Sequence, residues 1–310
     1  MKIEVEYIDQ VGLIHNQTHT MTRLAFAKHM AFAGQGYRIN PSNLLRTLGM
    51  FLHYSPYIKK QDFYINNCFS LPSTIFSDPT EQGQFSNIAG KAIADFLSKR
   101  IDGSFFTLNY EAVAQKPLIG QRPDLVGFSQ NFVFTLEAKS RKQNNPGNMA
   151  DHKMQAGSCN LKRHFSVASV SYNLYNKVQC KYHDPINDEI EYDNAGLRNS
   201  SAKFYSNLLQ FIKTNYFEVN KVDYQNEVFY EVDFSNEKFF KNIEDFDNNS
   251  YLNHWYRDFL SYYRPKLILP ENIENLSKNG LTKDTKPFIL KDKENKIYID
   301  RDRIGLSIRK

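Results

Sequence analysis

The stretch from Arg122 to Lys139, RPDLVGFSQNFVFTLEAK, constrains this chain more than any other. Leu125, Val126 and Phe128 form one apolar run, and Phe132 to Leu136 form a second, rich in aromatic and β-branched side chains. Gly127 to Asn131 supplies turn residues between them, so the stretch reads as two paired strands and a tight turn. Asp124, Glu137 and Lys139 stand at the ends of those strands. A charge at the end of an apolar strand is costly unless it is exposed, paired or bound to metal. Hairpin pairing brings Asp124 beside Glu137, and two converging carboxylates repel. A divalent cation relieves that repulsion through oxygen ligands. Side chains alternate along a strand, so Lys139 faces the site that Glu137 faces.

The surrounding pattern sets this hairpin in a larger order. Asp78-Pro79-Thr80-Glu81 reads as a helix start, with a capping acid, Pro in the first turn and Glu in capping-box position. Phe85, Ile88, Ala89, Ala92, Ile93, Phe96 and Leu97 follow as one apolar stripe at helical spacing. Phe105 to Val113 reads as a strand. Beyond Lys139 come a helix over about Met149–His164 and a strand over Phe165–Leu174. The predicted order is helix, strand, strand, strand, helix, strand. Gly83 to Lys91 does not make a phosphate-binding loop: six residues separate Gly83 from Gly90 where four are needed, and Ala92 stands in place of a metal-binding Ser or Thr. A nucleotide triphosphatase of that type is excluded.

Pro123-Asp124 followed by Glu137-Ala138-Lys139, on this order of elements, resembles the PD-(D/E)xK nuclease superfamily over residues 81–180. The resemblance implies an α/β, restriction-endonuclease-like fold, a mixed sheet flanked by helices. It implies catalytic roles for Asp124, Glu137 and Lys139. Mg²⁺, or Mn²⁺, would be held by Asp124, Glu137 and the Ala138 carbonyl, with Lys139 orienting the attacking water. Many members carry a further acid on the first helix. The candidates here are Glu81 before the apolar stripe, Asp95 near its edge and Glu111 on the next strand. The implied activity is endonucleolytic hydrolysis of DNA, in restriction or phage defence. Two alternatives stay open: a non-cleaving nucleic-acid-binding or assembly subunit on the same fold, and an RNA nuclease.

Charge is uneven along the chain, which carries +5 overall. Between Lys139 and His183 eight basic residues face one acid, Asp151, whereas Asp184 to Asp247 holds 14 acids against 6 bases. A basic segment after a candidate metal site suits a phosphodiester substrate. Arg122, Arg141, Lys142, Lys153, Gln155, Lys162 and Arg163 are therefore the candidate nucleic-acid contacts. The acidic block suits a protein partner, such as an ATPase or helicase subunit, since no ATPase motif is present.

The expected domains are an N-terminal helical extension over 1–80, the core over 81–185, and a C-terminal recognition or partner region over 186–310. Both flanks are expected to be mostly helical, with an alternating strand over Lys2–Ile8 and helices over Asn16–Phe32, after Asn40-Pro41, over Asn199–Phe217 and from Leu252 to Pro265. Val228–Phe234 reads as a strand and Lys286–Ile299 as a hairpin. The flanks also leave room for oligomerisation. Three cysteines form no disulfide framework, and the N-terminus has no apolar leader core. With no apolar run of about 18 residues, the expectation is a cytoplasmic protein without a membrane span. Cys159, His164, Cys180 and His183 have zinc-compatible spacing, but Cys159 and His164 fall on a predicted helix and a predicted core strand separates the two pairs, so buried thiols with surface histidines are the preferred assignment.

Overall fold

The computed structural model describes residues 1–34, 54, 68–70, 78–114, 120–183, 194–235, 258, 260–282, 284–291 and 296–309. The helix expected after Asn40-Pro41, and half of the one expected from Leu252 to Pro265, lie outside them; the described residues 260–263 are helical. Contacts divide the chain into two units, Met1–Leu197 and Arg198–Lys310.

The first unit is a seven-stranded mixed sheet with helices. Its strands are β1 (Lys2–Ile8), β2 (Ile14–Thr20), β3 (Ser104–Asn109), β4 (Leu125–Ser129), β5 (Val133–Ser140), β6 (Phe165–Tyr172) and β7 (Gln179–His183). Their spatial order is β2-β1-β7-β6-β5-β4-β3. The helices are α1 (Arg23–Phe32), α2 (Pro79–Ile101), α3 (Tyr110–Ala114) and α4 (Met149–Gly157). The predicted helix, three strands, helix and strand occur in sequence as α2, β3, β4, β5, α4 and β6. β3, β4 and β5 pair antiparallel, and β5 pairs parallel with β6. Parallel neighbours need a long crossover, which the segment carrying α4 supplies.

Each element has a local cause. Asp78 caps α2, its Oδ1 accepting from the backbone N–H of Thr80 at 2.8 Å and of Glu81 at 3.3 Å. The α2 stripe is buried except for the half-buried Ile88. On the hairpin, Gly127 lies opposite Phe134. The Phe134 ring fills the space a side chain at 127 would occupy, with ring atoms 2.5–2.8 Å from where a Cβ would stand.

Residues 1–34 do not form a separate helical extension. β1 pairs in parallel with β7, and β2 extends the same sheet. The part of Asn16–Phe32 expected to open a helix is strand until Thr20. Thr22 then caps α1, its Oγ1 accepting from the Ala25 N–H at 3.1 Å.

Among its described residues the second unit is as much strand as helix. It is a six-stranded antiparallel sheet in the order β11-β12-β13-β10-β9-β8. These strands are β8 (Glu218–Tyr224), β9 (Glu227–Asp233), β10 (Lys266–Pro270), β11 (Leu290–Lys291), β12 (Ile297–Ile299) and β13 (Gly305–Ser307). Helix α5 (Asn194–Lys213) leads into it and α6 (Ile273–Asn279) follows β10. Gln225 and Asn226 turn β8 into β9 with φ of 55° and 65°, the left-handed pair a two-residue hairpin demands. Phe229, Ile268, Phe288 and Ile299 pack as a buried cluster of this sheet.

Candidate functional site

Asp124 and Glu137 meet because of the β4–β5 register. Leu125 pairs with Leu136, so the next pair outward is Asp124 with Glu137. The Asp124 N–H donates to the Leu136 carbonyl at 3.0 Å, which carries the ladder one residue past β4. The Ala138 N–H donates to Asp124 Oδ2 at 3.1 Å and turns the carboxylate toward β5. A strand residue presents N–H and C=O on one edge, so the Ala138 carbonyl leaves the strand on the Asp124 side. Lys139 Nζ pairs with Glu137 Oε1 and lies 3.8 Å from Asp124 Oδ2.

The electrostatics are those of a crowded acid pair. The Glu137 side chain is 0% exposed; Lys139 is the counter-ion of Oε1, and Oε2 has no hydrogen-bond partner among the described residues. Burial, reinforced by the Asp124 charge, pushes the Glu137 carboxyl up to about 7, against the pull of Lys139. Burial alone would lower the Lys139 ammonium pKa. The contact with Glu137 and the Asp124 charge outweigh it, so the value is raised and Lys139 stays charged.

A residue outside the expected set completes the arrangement. Lys91 of α2 places Nζ 3.3 Å from Asp124 Oδ1. The sequence signal was a single lysine between the buried Gly90 and Ala92, and it was read only against a phosphate-loop pattern. Asp124 and Lys91 share the wall of a cleft of about 660 Å³ with Asn109, Glu111, Arg122 and Gln155.

The three candidate third acids separate clearly. Asp95 is buried inside the fold, where His29 Nδ1 lies at 2.6 Å, the Thr107 hydroxyl donates at 3.0 Å and Lys99 Nζ lies at 3.7 Å. Burial alone would raise its pKa; Lys99 and His29 overcome this and hold it at about 2. Asp95 is therefore an internal counter-ion. Glu81 lies in the first turn of α2, ten residues before Lys91 and about 15 Å along the helix. Glu111 is the one in the cleft, ion-paired with Arg122. It sits on α3, not on a strand, because Asn109 Oδ1 accepts from the Ala112 N–H at 3.2 Å and starts a helical turn.

The basic candidates also divide. Gln155 lines the cleft and donates to the Arg122 carbonyl at 3.0 Å, holding the loop that carries Asp124. Arg163 is bound within the fold, to Ser166 Oγ at 2.8 Å, the Gly157 carbonyl at 2.9 Å and Cys159 Sγ at 3.1 Å. Lys153 Nζ reaches the Ser166 carbonyl at 3.4 Å. Arg141 packs over Gly147 and contacts His152 Nε2 at 3.3 Å. Lys142 and Lys162 are exposed.

No group of three or more His, Cys, Asp or Glu arranged for a metal occurs among the described residues. The cysteines are free thiols; Cys180 is buried, which pushes its thiol up to about 11, and His164 is buried, not on the surface. Two adjacent carboxylates, one with a buried oxygen that lacks a hydrogen-bond partner, do fit a hard cation that completes its shell with main-chain oxygen and water. No described helix is long and apolar enough to cross a membrane. Compared with protein-family models, with curated proteins and with solved structures, the chain matches none.

Proposed function

We propose that this chain is a divalent-metal-dependent endonuclease of the PD-(D/E)xK type, acting on DNA. The observation that carries the reading is the buried Glu137 carboxylate, paired with Lys139 through Oε1 only, its Oε2 without a hydrogen-bond partner, set against Asp124 at the end of one hairpin. Lys139 answers one oxygen, and burying the other without a hydrogen bond is expensive, a cost that a bound cation offsets. Asp124, Glu137 and the Ala138 carbonyl would hold Mg²⁺ or Mn²⁺. When bound, that ion supplies an acidified water and neutralises charge on the phosphoryl oxygens.

The protein's own groups do the rest. Lys139, kept charged by its two acidic neighbours, is a donor that orients the water and stabilises developing negative charge. Gln155 holds the Arg122 carbonyl and so fixes the approach of Asp124. Lys142 and Lys162 offer exposed positive charge to the backbone of the substrate. A place in restriction or phage defence, with a protein partner on the acidic block from Asp184 to Asp247, goes with this reading.

One observation favours a second reading, a non-cleaving nucleic-acid-binding subunit. Asp124 already has Lys91 and Lys139 as counter-ions. Incubation of supercoiled plasmid with Mg²⁺, Mn²⁺ or EDTA tests the choice, with Lys139→Ala and an RNA substrate alongside. Metal-dependent nicking lost in Lys139→Ala is the expected result. Intact plasmid, together with no Mn²⁺ binding that depends on Glu137, would leave the second reading in place.

A further inference from the structure

We propose that Lys91 is a built-in counter-ion for Asp124, displaced by the arriving divalent cation and then available to the phosphodiester of the substrate. The inference rests on the nuclease reading and names a residue which that reading does not contain. Three observations support it. First, Lys91 and Lys139 approach different oxygens of one carboxylate: Lys91 Nζ is 3.3 Å from Oδ1, and Lys139 Nζ is 3.8 Å from Oδ2. Oδ2 also accepts from the Ala138 N–H, which leaves Oδ1 as the oxygen turned toward α2. Second, the pair is solvent-accessible, with side-chain exposures of 24% for Lys91 and 20% for Asp124. Exchange therefore needs no opening of the core. Third, Lys91 lines the same cleft as Arg122, Glu111 and Gln155, so an ammonium leaving Asp124 stays in a cleft lined by two of the candidate nucleic-acid contacts, Arg122 and Gln155.

The backbone of α2 does not move in this scheme. At Gly90, an added Cβ would stand 2.8 Å from Ser140 Cβ and 3.1 Å from the Lys139 carbonyl carbon. The helix is thus seated directly on β5, and only the flexible four-carbon stem of Lys91 has to swing. A divalent ion and an ammonium cannot both crowd one carboxylate oxygen without strong mutual repulsion. Lys91 therefore weakens metal binding in the free protein and contributes a positive charge once substrate and metal are both present.

The test is Mn²⁺ binding to the full chain by calorimetry, with wild type, Lys91→Gln, Lys91→Arg and Glu137→Ala. Duplex affinity in Ca²⁺ is measured on the same samples. Lys91→Gln is expected to bind Mn²⁺ at least about tenfold more tightly and DNA about tenfold more weakly, because one adjacent positive charge is lost. Lys91→Arg keeps the charge and should stay close to wild type in both. Equal Mn²⁺ affinity in wild type and Lys91→Gln, with binding lost in Glu137→Ala, overturns the role of Lys91 and leaves the metal site standing. Unchanged duplex affinity in Lys91→Gln overturns the hand-over to phosphate. Absence of Mn²⁺ binding in wild type and Lys91→Gln alike removes the nuclease reading and this inference together.

Discussion

Glu137 is a carboxylate whose folded environment favours the proton. Its pKa rises to about 7 from an ordinary value of 4.5, so the folded state holds the proton more tightly than the unfolded chain. The stability this contributes is fully present below about 4.5 and is lost as pH rises to about 7. Thermal melts in EDTA should show this loss for wild type, and a flatter profile for Glu137→Gln. Mn²⁺ should reverse the loss at pH 8, since it binds the ionised folded form. Asp124→Ala, Glu137→Ala and Lys139→Ala should each lower cleavage by at least about 10²-fold with the fold retained, measured by plasmid nicking and circular dichroism. Wild-type-like cleavage by any one would remove that residue from the mechanism. These three residues were legible because strand pairing is a short-range rule: a tight turn and a register of apolar residues place 124 against 137. Lys91 was not legible, because its partner is 33 positions away in sequence, and no local pattern links a helix position to a strand end.

At the level of elements, the seat of α2 on the sheet is the sensitive joint. Gly90 is helical, where Ala is ordinarily preferred by about 1 kcal/mol. Here the added methyl meets β5 closer than 3 Å, so overpacking wins. Gly90→Ala should therefore lower stability by about 1–3 kcal/mol in urea titrations and reduce cleavage as well, through displaced Lys139. Asp95→Asn should cost about 3–5 kcal/mol, because it leaves His29 and Lys99 buried beside a neutral group. Its effect should be on stability, leaving the metal affinity of the folded protein unchanged. The ends of elements were the hardest to read. The predicted helix from Met149 to His164 stops at Gly157 because Arg163 folds back onto the Gly157 carbonyl. The expected strand at Glu111 is cut short by the cap at Asn109. Both endings depend on a single polar side chain meeting a backbone group, a contact that hydrophobic periodicity does not register.

For the whole molecule, the sign and placement of charge govern association with a polyanion. DNA affinity should fall steeply with salt, and Lys142→Ala and Lys162→Ala should each lower the logarithmic salt slope by about 1. Arg163→Ala should instead lower the melting temperature, because its three hydrogen bonds are internal. Equal salt slopes for all three variants would show that the exposed lysines do not meet phosphate. By itself, the sequence determined the order of elements from α2 to β6, the hairpin, and the convergence of Asp124, Glu137 and Lys139. Those features follow from side-chain periodicity, capping and strand pairing, which act over a few residues. Only the tertiary structure decided that residues 1–34 extend the central sheet, that the C-terminal unit is a six-stranded antiparallel sheet, and that Asp95 is an internal counter-ion. It also decided which lysine meets Asp124. Such pairings join segments far apart in sequence, and their energies come from burial and charge neutralisation that exist only once the chain is folded.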